Sequence, residues 1–161
     1  MAPVALFLAL LLAGSAVHKA VAQDRLASVA SRLTGLRAQG ITMLILAGTL
    51  EAVAAACLVL PDLRNAGSLL AAAVWSAYAV ALLRHRGETL DCGCDLVSRE
   101  KPVDWPLIAR PAVLAAMAAL VSTLPEAPIG IDAPFAAAGL FALYLAASEL
   151  LAIPHPRWRK S

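Results

Sequence analysis

Charge is what this chain has least of. Across 161 residues, Asp, Glu, Lys and Arg together make up only 15%, against about 25% in soluble domains. The net charge of +2 and the lack of a basic stripe with interleaved aromatics exclude nucleic acid as a partner. Cysteine is nearly as scarce, at three residues. That is too few, in too apolar a chain, for an extracellular disulfide framework. Strict two-residue alternation of polar and apolar residues is missing as well, which excludes the strands of a membrane barrel.

What is present instead is long apolar blocks of Ala, Leu and Val. Apolar residues reach 61% and the mean hydropathy is +0.78, so the first partner of most of this chain is membrane lipid. A backbone in lipid must satisfy its own polar groups, which leaves helices or closed barrels. The fold class is therefore an all-α integral membrane protein, a bundle of about five transmembrane helices forming one domain over 1–161. The spans are predicted at about 2–21, 41–60, 66–83, 107–124 and 133–153, each near the length that crosses about 30 Å of hydrocarbon. A signal peptide is the rival reading of the first span, given Ala13-Gly14-Ser15-Ala16. Nothing before His18 is charged, however, so the basic leading region of such a peptide is missing. Between the first two spans, about 23–39 carries Arg25, Arg32 and Arg37 among Leu26, Val29, Leu33 and Leu36. This spacing predicts an amphipathic helix on the membrane surface.

Orientation follows from Lys19, at the end of the first span, together with the Lys and Arg outside the spans. Lys19, Arg25, Arg32, Arg37, Arg84, Arg86, Arg99, Lys101, Arg157, Arg159 and Lys160 fall on one side, and Arg64 alone on the other. The bias predicts the N-terminus out, the C-terminus in, and the loop after the third span at the cytoplasmic surface.

That loop, Arg84 to Asp104, is the one long polar interruption, and it contains Asp91-Cys92-Gly93-Cys94-Asp95. A disulfide needs α-carbons about 4.4–6.8 Å apart, which two residues flanking one glycine can reach. Gly93 tolerates the backbone angles a tight ring imposes. So small a ring is strained, and strained disulfides are the reducible, catalytic kind. Cys92 and Cys94 are thus the candidate catalytic pair, a thiol-disulfide couple. Two thiolates also suit copper(I) or half of a zinc site, although a closed zinc site needs four ligands and only His85 is near in sequence. No further cofactor is evident; a quinone would suit electron transfer across the membrane, but no residue pattern marks a site for one.

Glu51 is the second candidate. A carboxylate at mid-bilayer costs about 2.5–3.5 kcal/mol on insertion scales, so it should face the bundle interior beside a cation. Lys19 and Arg110 are the candidates, and the three residues together predict either a packing ion pair or a proton or substrate pocket beneath the cysteine loop. Cys57 reads as a packing residue, too deep to serve the loop. Trp105, Tyr144 and Trp158 read as interfacial or packing aromatics. Gly48 with Ala52, and Ala115 with Ala119, read as points of close helix contact.

These residues resemble the MauE branch of the MauE/DoxX membrane proteins over roughly Leu6 to Leu124. The resemblance is carried by Gly14-Ser15-Ala16-Val17-His18-Lys19, by Glu51, and by Arg86-Gly87-Glu88-Thr89-Leu90-Asp91-Cys92-Gly93-Cys94. A fourth span opening with Trp105 and Ile108-Ala109-Arg110 completes it. Asp95-Leu96 and Pro111 stand where that family usually has Phe-Gly and Asn. The resemblance implies a small helical bundle in a bacterial inner membrane, tied to thiol-disulfide chemistry. It also implies a thioredoxin-like or disulfide-bearing protein partner. In the family, that chemistry is associated with maturation of methylamine dehydrogenase, in methylamine metabolism. That work is periplasmic, whereas the charge count places the cysteines inside.

Overall fold

Long runs of Leu, Ala and Val in lipid have one economical way to satisfy their backbone amides, and the chain takes it five times. The computed structural model describes residues 2–35, 38–90, 101–125 and 130–152, so Cys92, Gly93, Cys94 and Trp158 lie outside the described residues. Helices α1 (Ala2–Val21), α3 (Gly40–Val59), α4 (Arg64–Arg84), α5 (Trp105–Thr123) and α6 (Ala133–Ala152) are the five long apolar ones. The short helix α2 (Gln23–Thr34) lies between α1 and α3. The all-helical membrane bundle expected from composition is what forms.

Helix ends follow local chemistry. Gly35 at φ 73° caps α2, its amide bonded to the carbonyl of Arg32. A left-handed glycine ends helices in this way, and α2 therefore stops at Thr34 rather than running to Gln39. Pro61–Leu63 forms a 3-10 turn that leads directly into α4, so the third span starts at Arg64 rather than Ala66. Asp104 caps α5, its Oδ1 accepting from the Leu107 amide at 3.2 Å. Pro111 sits inside α5, a position lipid-embedded helices tolerate when neighbours satisfy the freed carbonyl.

Helix α1 is the central post. It packs against α3, α6, α5 and α4, and Leu8 and Leu12 on it are fully buried with Leu58 and Ala118. Phe7 meets Tyr144 of α6 edge to face at 6.1 Å. The outward faces carry Leu10, Val53, Leu69, Leu120 and Leu143, all exposed, as a lipid-facing surface should. Small residues set the closest approach, though not where the spacing suggested. A Cβ on Gly67 would sit 2.7 Å from the Leu58 amide nitrogen, so α3 and α4 touch backbone to backbone there. Half-buried Cys57 flanks that contact and fills space, as read from the sequence. Gly48 and Ala52 instead line an open groove with Ala16 and Val17, and Ala118, not Ala119, faces the α5 core.

The C-terminal end of α4 and the N-terminal end of α5 are joined across the base of the cysteine loop. Thr89 pairs with Pro102 and Leu90 with Lys101 in a two-residue antiparallel ladder of β1 (Thr89–Leu90) and β2 (Lys101–Pro102). Gly87 and Val103 bond at 3.0 Å and Val103 and Glu88 at 2.8 Å. Buried Val103 packs with Leu82, Leu107 and Ile108, and Leu33 of α2 leans on the same cluster.

Candidate functional site

Two charges in the apolar interior find each other, and helix geometry explains how. In an α-helix each side chain leans back toward the helix N-terminus. Lys19 lies two residues from the end of α1, so its side chain runs back along the helix, deeper into the bundle, past Ser15 one turn away. Glu51, midway along α3, leans toward the end of α3 that lies beside Lys19. The two meet. Lys19 Nζ donates to Glu51 Oε1 at 2.8 Å and to Oε2 at 2.9 Å, and the side chains are 8% and 1% exposed.

Two hydroxyls complete the cluster. Lys19 Nζ also donates to Ser15 Oγ at 2.6 Å, and that hydroxyl donates to Glu51 Oε1 at 3.1 Å. Tyr78, from α4, donates to the same Oε1 at 2.7 Å and lies with its ring 5.2 Å from the Lys19 ammonium. The ammonium thus places its three protons on three oxygens, and the carboxylate accepts from three residues on α1 and α4. A charge pair this dry is tolerated only when hydrogen-bonded all round. The four residues tie α1, α3 and α4 together at one depth.

Arg110, the other expected partner of Glu51, takes a different one. Its Nη2 donates to the carbonyl of Ser148 on α6 at 3.1 Å. The reason is placement: α6 runs beside α1 with its later turns next to the start of α5. Arg110 nevertheless borders the cluster, because it lines a cavity of about 40 Å³ together with Ser15, Tyr78, Trp75 and Tyr144. Ser15 and Tyr78 are the site residues that sequence reasoning missed. A polar residue one turn before a buried lysine was a usable signal for Ser15. Tyr78 carried none, since tyrosine in a span reads equally well as an interfacial aromatic.

On the other side of the cluster, next to the loop base, His85 Nε2 lies 3.3 Å from the carbonyl of Leu33 and its Nδ1 lies 3.2 Å from Glu88 Oε1. Arg86 stacks on exposed Trp105, 4.4 Å from the ring centroid. Trp105 is thus a surface aromatic held by a cation, and Tyr144 is a packing one. Among the described residues, no three His, Cys, Asp or Glu side chains gather as a metal site.

The family model for methylamine utilisation protein MauE matches residues 1–124. The chain belongs to the MauE family. Two curated MauE proteins, each called methylamine utilization protein MauE, are similar to it. The one from Paracoccus denitrificans is 36% identical over 109 residues, covering 62% of this chain and 59% of that protein. The one from Paracoccus versutus is 42% identical over 88 residues, covering 50% and 47%. This MauE-family chain therefore matches about half to three fifths of the length of those relatives. No solved structure matches it significantly. The buried cluster, Arg110 and the cysteine motif all fall inside the matched MauE region, whereas α6, which receives Arg110, lies beyond it.

Proposed function

We propose that this membrane protein is a thiol-disulfide redox protein in which Cys92 and Cys94 cycle between dithiol and disulfide. It would support disulfide formation in a partner protein, in a process of methylamine utilisation like that named for its relatives. One cysteine attacks a disulfide of a thioredoxin-like or disulfide-bearing partner, forming a mixed disulfide and releasing the partner's other sulfur as a thiolate. The second cysteine then attacks the mixed disulfide, closing the Cys92–Cys94 ring and releasing the partner reduced. Run in reverse, the same exchange oxidises the partner. The observation that carries this reading is the Cys-Gly-Cys sequence itself, inserted where α4 and α5 are clamped together. Paired backbone at Thr89–Leu90 and Lys101–Pro102 fixes both ends of the segment that holds the thiols. The Lys19–Glu51–Tyr78–Ser15 cluster supports it by locking α1, α3 and α4 in register beneath that clamp.

The lipid in question is a bacterial inner membrane. The Lys and Arg distribution orients the chain with its N-terminus out, its C-terminus in and the cysteine loop at the cytoplasmic surface. Trapping tests the chemistry. Expressed in its native membrane, a Cys92→Ser or a Cys94→Ser chain should accumulate a reducible mixed disulfide with a partner, because the resolving thiol is gone. Neither variant forming such an adduct, with both fully expressed, would defeat the proposal.

A further inference from the structure

Helix α2 does more than connect α1 to α3. Among its residues only Leu26 is fully buried, yet Leu26 and Leu33 roof a partly enclosed cavity of about 210 Å³. Its sides include Ala47 of α3 and Ala81 of α4, and Lys19 and Tyr78 stand at its polar end. Two contacts keep α2 from settling into this space. Gly40 packs directly under the Ala27 carbonyl and Ser31, and His85 holds the Leu33 carbonyl at 3.3 Å. The volume is therefore built into the way α2 is pinned.

Three properties define an occupant. Most of the lining is aliphatic, and a cavity of about 150 Å³ takes up a benzene-sized molecule, so a substituted ring fits this one. Second, the charges at the polar end cancel, and the Lys19 ammonium already places its three protons on Ser15 and Glu51. No ion is called for, and the ligand is neutral. Third, the Tyr78 hydroxyl beside that pair gives its one proton to Glu51 Oε1, so its oxygen can meet a ligand only as an acceptor. A hydroxyl on the ring, which donates, meets it.

We infer that the cavity beneath α2 binds a neutral, lipid-soluble six-membered ring carrying a hydroxyl group, seated with that hydroxyl toward Tyr78. That chemistry is shared by the head of an isoprenoid hydroquinone and by simple alkylphenols. The inference goes beyond the cysteine chemistry and does not depend on it, since no lining residue belongs to the cysteine loop. The site lies between the buried charge cluster and the loop base, because Leu33 and Leu82 line the cavity and also pack with Val103.

The test uses the full chain purified in detergent and titrated with three probes that share a ten-carbon chain: a decyl-hydroquinone kept reduced, 4-decylphenol, and n-decane. Saturable binding is read as a rise in unfolding temperature and by equilibrium dialysis. Binding of at least one ring probe, with n-decane giving no saturable shift, is expected, and the stronger ring tells hydroquinone head from phenol. Ala47→Phe and Ala81→Leu fill the cavity from opposite walls, and each should weaken the ring probe at least tenfold. The Cys92→Ser/Cys94→Ser double variant should bind as the parent does, which separates this site from the redox reading. The inference is overturned if neither ring saturates or if n-decane binds equally. Undiminished ring binding in whichever cavity-filling variants fold, or loss of binding with the cysteines, overturns it too.

Discussion

Removing Lys19 alone should be far more damaging than removing Lys19 and Glu51 together. In Lys19→Met the Glu51 carboxylate keeps Ser15 and Tyr78 but loses two charge-assisted hydrogen bonds, of 2.8 and 2.9 Å, in a site where it is 1% exposed. Breaking a buried pair from one side costs about 3–5 kcal/mol, which is about 150- to 5,000-fold in the folding equilibrium. Glu51→Gln should be costly in the same way, leaving an ammonium with a neutral amide oxygen. The double variant Lys19→Met/Glu51→Gln carries neither charge, and the amide still receives Ser15 and Tyr78. Replacing both members of a buried pair is often close to neutral, so its loss should stay under about 2 kcal/mol. The cycle thus predicts a coupling of at least about 4 kcal/mol between the two positions, well above the ~0.6 kcal/mol average of interhelical hydrogen bonds in a membrane protein. Equilibrium unfolding in mixed micelles, followed by helical circular dichroism and tryptophan fluorescence, measures it. Single variants that each cost under about 1 kcal/mol and simply add would refute the reasoning. The pair would then be a solvated contact and not the buried lock described here.

Two further expectations concern packing and capping. Gly67→Ala places a methyl within 2.7–2.8 Å of the α3 backbone at Cys57 and Leu58, which must part the helices; a loss of about 1–3 kcal/mol in the same unfolding assay is expected, and an unchanged stability would contradict the backbone contact. Asp104→Ala removes the cap of α5 next to the loop base and should cost about 1 kcal/mol, with faster amide exchange in the first turn of α5 and little change in α3.

How far the sequence could be read depended on whether an element's signal was local. The five spans were legible from length and hydropathy, since lipid penalises any other reading. The end of α2 was legible too, but only to a reader who weighed Gly35 as a left-handed cap above the basic periodicity that continues to Arg37. Glu51 announced itself as the one acid at the centre of a span. Its choice of Lys19 over Arg110 was hidden, because lipid is as apolar as a core and gives no sequence mark of which helix faces face each other. The same blindness explains Tyr78, whose role depends on the register of α4 against α3. It also explains Gly67, whose neighbour across the contact is a backbone and not a side chain. Gly48 and Ala52 show the converse: small spacing on α3 that borders an open groove with α1 rather than a tight crossing.

The central claim is that Cys92 and Cys94 form a reversible disulfide on the cytoplasmic side, and thiol labelling in intact cells addresses it most directly. A membrane-impermeant maleimide is compared with a permeant one, before and after reduction, in a Cys57→Ala chain so that only the pair reports. The account predicts labelling by the permeant reagent alone, and only after reduction. Thiols that label fully without reduction would contradict the redox pair, and labelling by the impermeant reagent would place the loop on the opposite side of the membrane.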